Sequence, residues 1–237
     1  MKRTFPLLSV LFLIALTAPA QEPAQAEPPN KPGTPVVQFI LDWRAQNPPR
    51  YSVTIASDGR ATYHSEPAAD ANGGSSPAAY FVEWTATEAT RRKVFDGAQK
   101  LNFFQGRFES KAKVAMTGVK TLSYKDPSHD TSTSYNYSEN ASIRELTQIF
   151  QSIATTAEMG RKLNYDVRYD KLGADADLKV LVEEQHDGTA IEIVAIRPVL
   201  QRISEDPAMM RMSQQRAKAI LRTAGLIPAT AFAEGEK

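Results

Sequence analysis

The chain has no cysteine. That excludes disulfides, thiol catalysis, cysteine-ligated metals and a lipid-modified N-terminal cysteine. It has no excess of either charge, with 28 basic and 27 acidic residues. No global field therefore draws it to nucleic acid or to an anionic membrane. Its longest apolar run, Leu7–Leu16, is ten residues, whereas a bilayer core needs about 20. A Gly-rich phosphate loop and a G-x-S-x-G elbow are both missing. The three histidines, His64, His129 and His186, form no i, i+4 pair. A zinc site needs several converging nitrogen or sulfur ligands, so neither metal nor cofactor is expected.

What is present begins at the N-terminus. Lys2 and Arg3 precede the apolar run, and Ala18-Pro19-Ala20 follows it. A basic segment, a short apolar core and an A-x-A site read as a secretory signal peptide over residues 1–20, cleaved after Ala20. Removing it takes away two positive charges and no negative one, so the net charge of +1 becomes −1. A second A-x-A, Ala24-Gln25-Ala26, leaves a later cut open. Export without disulfides fits a bacterial envelope, and the expected location is periplasmic or secreted, not that of a lipoprotein. Residues 21–35, rich in Pro, Glu and Gln, read as a linker.

Val36–Trp43 has the composition of a strand. In the stretch YSVTIASDGRATYHSE (51–66), alternating apolar positions flank Ser57-Asp58-Gly59. A two-residue Asp-Gly turn would turn the two apolar sets to opposite faces. A three-residue loop pairs Ile55 with Ala61 and Val53 with Tyr63, with Gly59 in the left-handed position of a G1 bulge. Pro67–Pro77 reads as a flexible loop and Tyr80–Trp84 as a further strand. Thr85-x-x-Glu88 has the spacing of a capping box, before a helix with Val94, Phe95, Ala98 and Leu101 on one face. Lys113–Lys125 and Thr131–Tyr137 read as a hairpin around Asp126-Pro127-Ser128. Ser142-x-x-Glu145 opens a second helix bearing Ile143, Leu146, Phe150, Ile153 and Ala157.

Residues 160–226 read as a helical C-terminal region and 227–237 as a disordered tail. Residues 178–196 admit either a helix, supported by a third cap spacing at Thr189-x-x-Glu192, or a β-branched hairpin. Pro198 kinks or restarts the chain. The last helix is expected to be capped by Asp206, with Pro207 in its first turn, Gly225 at its end and an apolar stripe of Met209, Met212 and Ile220. The fold class is thus α+β: an antiparallel sheet with helices packed on one face (36–159), followed by a helical C-terminal extension.

The pattern Tyr51-x-Val53-x-Ile55-x-x-Asp58-Gly59-x-Ala61-x-Tyr63, with a capped helix ending in Asn102-Phe103-Phe104, resembles a family of exported bacterial domains of unknown function. In that family such a hairpin opens a small α+β domain. The resemblance spans roughly residues 35–155, and Asp126-Pro127 corresponds loosely to an Asp-Pro element of the family's second hairpin. It implies no catalytic residues.

Several constellations imitate chemistry. Ser110-x-x-Lys113 with Ser134-Tyr135-Asn136 has two of the three elements of penicillin-recognising serine enzymes. The Lys-Thr/Ser-Gly element is missing, and Ser110 sits in a charged connection. Asp166, Asp170, Asp175 and Asp177 depart from calcium-loop spacing and read as a solvated helix face. Arg211, Arg216, Lys218 and Arg222 read as the wet side of the last helix. Trp43, Trp84, Tyr124, Tyr135 and Tyr137 form either core or a binding face on the sheet.

No catalytic, cofactor-binding or metal residue is assigned. The chain reads as an exported, non-enzymatic binding or accessory envelope component. Its partner would be a protein or a peptide or glycan ligand, not nucleic acid, and the mature chain would carry no integral membrane segment. The alternatives are a periplasmic hydrolase using Ser110 and Lys113, or an inhibitor of an envelope enzyme presenting Pro67–Pro77.

Overall fold

The structure is a computed structural model that describes residues 33–67 and 79–228. The expected signal peptide with its cut after Ala20, nearly all of the expected 21–35 linker and of Pro67–Pro77, and residues 229–237 of the expected tail lie outside the described residues.

The fold is α+β. Strands β1 (Val36–Asp42), β2 (Arg50–Ala56), β3 (Arg60–Ser65), β4 (Tyr80–Thr85), β5 (Val119–Lys125) and β6 (Asp130–Tyr135) form one antiparallel sheet in the order β4-β3-β2-β1-β5-β6. Period-two alternation sends Val37, Phe39, Leu41, Tyr51, Val53, Ile55, Tyr63 and Leu122 into the core. The opposite rows, such as Ser52-His64-Phe81 and Gln38-Thr54-Thr62, are mostly hydroxyl and amide residues. The β2–β3 hairpin has the three-residue loop: Val53 pairs with Tyr63 and Ile55 with Ala61. Gly59 has φ +96° and its N–H donates to the Ala56 carbonyl. Asp58 caps the same turn by accepting from the Arg60 backbone N–H.

Helices α1 (Glu88–Lys100) and α2 (Ala141–Tyr169) cover the buried sheet face. After α1, Asn102, Phe103 and Phe104 all take positive φ. This left-handed turn drives Phe104 into the core and packs Phe103 against Tyr124, with tilted rings whose centroids are 4.7 Å apart. Helix α2 runs 29 residues, straight through position 159, where the sequence places the end of the sheet-bearing part. Its first half packs on the sheet. Its second half packs on α3 (Lys171–His186) and α4 (Arg197–Glu205), and α5 (Arg211–Thr223) packs in turn on α3 and α4, within one continuous apolar core. Gly160 allows the close approach, because a Cβ there would overlap Ile196.

The helix starts differ from the cap spacings. The N-cap of α1 is Thr87, not Thr85, and that of α2 is Asn140, not Ser142. Residues 178–196 contain no hairpin: α3 ends at Asp187-Gly188, and a 3-10 turn (Ile193–Ile196) leads into α4, which Pro198 restarts. Asp206 closes α4 instead of capping α5, which begins at Arg211. Met209 and Ile220 are buried, but Met212 is exposed, so the expected stripe is only partly formed. Strand β5 begins at Val119, later than Lys113: Gly118 just before it has a φ of +92°, outside the range of an extended strand. No helix among the described residues is long and apolar enough to cross a membrane.

Candidate functional site

A groove of about 1280 Å³ opens where the β4-β3-β2 end of the sheet meets α2. Its floor is the tyrosine cluster of Tyr51, Tyr63 and Tyr80. These residues share the buried sheet face, and their ring centroids are 5.8 Å (Tyr51–Tyr63) and 6.2 Å (Tyr63–Tyr80) apart. One wall is the β1–β2 connection, Gln46 to Pro48; the other is α2 from Gln151 to Tyr169. The helical repeat aligns Glu158, Arg161, Tyr165 and Arg168 along that wall.

Glu158 is the polar centre. It accepts from the Tyr63 hydroxyl at 2.7 Å and the Ser65 hydroxyl at 2.9 Å, and Arg161 Nε donates to its other oxygen at 2.6 Å. Burial first, then the Glu158 charge, push the Tyr63 phenol up. Tyr80 is raised to about 12, again by burial and then by Glu158, with Arg161 opposing. Burial likewise raises Tyr51. All three phenols are therefore protonated at physiological pH. Tyr51 is only 4% exposed, yet no hydrogen bond among the described residues engages its hydroxyl or that of Tyr80, whereas Tyr63 is fully engaged by Glu158.

At the far end of the groove, Asp166 of α2 and Asp177 of α3 face each other in the α2–α3 seam, both buried. Lys162 Nζ donates to Asp177 at 2.5 Å. The Asp166 carboxyl is pushed up to about 6, by burial first and then by the hydrogen bond and charge of Asp177, with Lys162 pulling the other way. Beyond them Tyr165 and Tyr169 stand exposed, with ring centroids 4.8 Å apart.

The four aspartates therefore do not form the solvated face expected of them. Asp166 and Asp177 are buried, Asp170 caps α3 by accepting from the Gly173 N–H, and Asp175 accepts from Ser213 and pairs with Arg216. Arg216 is thus tied down, while Arg211 is exposed.

The other candidates are dispersed. Ser110 starts no helix; its hydroxyl donates to Glu139 at 2.7 Å, and Lys113 is exposed on irregular chain. His64 lies on the hydroxyl-rich sheet face, His129 stacks on Phe103 and contacts Asp126, and His186 is exposed beside Asp187. Trp84, Tyr124 and Tyr135 are buried beneath the helices, Trp43 packs against the same core, and Tyr137 stands apart and exposed, so the five form no binding face.

The described lining contains no serine, cysteine or histidine. Its two carboxylates, Glu158 and Asp166, are eight residues apart, about 12 Å of helix rise. They also turn to different partners, unlike the ~5–9.5 Å carboxyl pairs of glycoside hydrolysis. What the groove offers is recognition: protonated phenols, free amides, guanidinium edges and open aromatic faces. A smaller pocket of about 460 Å³ lies between α1, α2 and the 188–192 turn. Its buried carboxylate, Glu192, is already taken by the Trp84 indole N–H and by the Thr87 backbone N–H and hydroxyl.

Sequence reasoning missed Glu158 and the groove. One signal was available. Continuing the helical period from Ile143 to Ala157 leads to Gly160, Leu163 and Asp166 on the buried side, and a charged residue in an apolar register marks such a place. No family model, curated protein or solved structure matches the chain.

Proposed function

We propose that this is an exported, non-enzymatic binding protein whose tyrosine-floored groove along α2 holds a solute or polymer of the bacterial envelope. The observation that carries the reading is the Tyr51 hydroxyl, protonated, on a nearly buried ring at the groove floor and without a bond among the described residues. A hydroxyl open to a groove can donate to and accept from a ligand oxygen. The sequence features of residues 1–20 support export, as does the resemblance of the β2–β3 hairpin to exported domains.

Two measurements test it. Bacterial expression of the full chain should yield an envelope-fraction product whose mass starts at Gln21; retention in the cytoplasm at full length counts against export. A thermal-shift screen over envelope-derived saccharide, peptide and headgroup fractions should find one that stabilises the protein, with the shift lost in a Tyr165→Ala/Tyr169→Ala variant. If no fraction stabilises the wild type, the binding reading fails.

A further inference from the structure

We infer that the groove takes an anionic saccharide, seated along the α2 stripe from Glu158 to Arg168 with its acidic groups on Arg161 and Arg168. This rests on the binding reading above and names its ligand class.

The argument starts from which charges are taken. Lys162 is bonded to Asp177, and Glu158 is neutralised by the Nε edge of Arg161. That leaves the Nη groups of Arg161 and the whole guanidinium of exposed Arg168 without a bond among the described residues. The two arginines are seven residues apart, so they share one helix face about 10.5 Å apart along the axis. Guanidinium edges recognise carboxylate and sulfate oxygens in bidentate fashion. The pairs Glu158–Arg161 and Lys162–Asp177 cancel in charge, so what the groove leaves open in line is the guanidinium of Arg168 and, as further donors, the Nη edges of Arg161.

Between the arginines stands Tyr165, 61% exposed, next to Tyr169 at 70%. Open aromatic faces suit the apolar face of a sugar ring. The floor adds the free hydroxyls of Tyr51 and Tyr80, and the rim adds the amides of Gln46, Asn47 and Gln151. Groups that can both donate and accept match sugar hydroxyls. The groove is lined by the sheet's face, so a ligand meets side chains. An extended peptide adds instead to the unpaired backbone of an edge strand. The volume of about 1280 Å³ exceeds what a single small ligand fills, typically ~300–1,000 Å³, which leaves room for several sugar units.

The test is calorimetric titration of the full chain, purified in its exported form, with three probes: an oligogalacturonate, its carboxyl-reduced neutral counterpart, and a polyglutamate peptide of similar length. The oligogalacturonate should bind, and the neutral counterpart should bind at least ~10-fold more weakly, the value of one charge-assisted hydrogen bond. Arg168→Ala should weaken oligogalacturonate binding ~10-fold and Tyr51→Phe ~5-fold, each with an unchanged thermal melt. Equal affinity for the neutral sugar, preference for polyglutamate, or indifference to both substitutions overturns the ligand class. Because the thermal-shift screen reads binding of any chemistry, it separates that result from failure of the binding reading itself. Binding of all three probes with the same salt dependence would show non-specific charge attraction and also overturn the inference.

Discussion

Two regions of this molecule are each pinned by a glutamate, and they differ in what surrounds it. At the junction of β4, α1 and the 3-10 turn, Glu192 is 5% exposed and has only neutral donors: the Trp84 indole N–H at 2.9 Å, the Thr87 N–H, and the Thr87 hydroxyl at 2.6 Å. Thr87 is the N-cap of α1, so the carboxylate sits where the helix dipole and free N–H groups favour a negative charge. In the groove, Glu158 has hydroxyl donors and a guanidinium, and a cavity beside it. Both carboxylates tie the helical layer to the sheet. They differ in depth: Glu192 is 5% exposed beside the smaller pocket, and Glu158 is half-buried beside the larger groove. Glu192 closes the structure, and Glu158 organises a site.

Removing each group tests that contrast. Glu192→Ala leaves the Trp84 indole N–H and the Thr87 N–H and hydroxyl without their acceptor, while Thr87 still caps α1 through Thr90. We expect a loss of about 3–4 kcal/mol in urea denaturation. Glu158→Ala frees Tyr63, Ser65 and Arg161 next to a water-accessible groove, and should cost about 1–2 kcal/mol. Equal costs, or a larger one at Glu158, would sink the comparison.

Asp166 sharpens it, because this groove carboxyl has a like-charged neighbour in place of a donor. Its folded pKa of about 6 lies above the unfolded value of about 3.9. Between those values the folded state holds more protons than the unfolded state, so this group's contribution to stability falls as pH rises from about 4 to about 6 and stays low above. The groups facing it are Asp177 and Asp170 at the start of α3 and Lys162 on its own helix. Asp166→Asn should therefore be about 1–2 kcal/mol more stable than wild type at pH 7.5 and equal to it at pH 4. A difference that does not vary with pH would mean that Asp166 does not titrate there.

The fold was more legible in the sequence than the site. Alternation over 51–66 defined the β2–β3 register, because a one-residue slip would put a whole apolar set into water. The 3.6-residue period gave the buried side of α2. The cap spacings misled: α2 is capped two residues earlier, by Asn140, and at α1 a side chain remote in sequence takes the reciprocal role. A local capping box needs the third helical residue to reach back to the N-cap N–H, but at Thr87 that N–H goes to Glu192, 105 residues away. The same contact explains why Thr189-x-x-Glu192 caps nothing. Apart from the charged Asp166 in an apolar register, the groove left no trace in the sequence for a related reason: Tyr51, Tyr63 and Glu158 meet only after β2, β3 and the middle of α2 pack together, and each alone looks like an ordinary strand or helix residue. The aspartates were misread because spacing along one helix does not show that α3 returns beside α2.

The smallest expected effect divides two neighbouring tyrosines. Tyr51 and Tyr63 are both buried, adjacent across the β2–β3 ladder and alike in ring packing. Only Tyr63 donates to Glu158. Tyr63→Phe should cost about 1 kcal/mol, since it removes a charge-assisted bond and leaves a carboxylate oxygen with one donor fewer. Tyr51→Phe removes a hydroxyl that no described residue bonds, so stability should stay within about 0.5 kcal/mol of wild type. Paired urea titrations of the two variants measure the difference directly. A Tyr51→Phe cost equal to that of Tyr63→Phe would mean that the Tyr51 hydroxyl already has a partner in the free protein, and the groove floor would lose its strongest claim to a ligand. A stability unchanged by Tyr51→Phe, together with weakened binding of the saccharide, would assign that hydroxyl to recognition, because only the bound state then contains its bond.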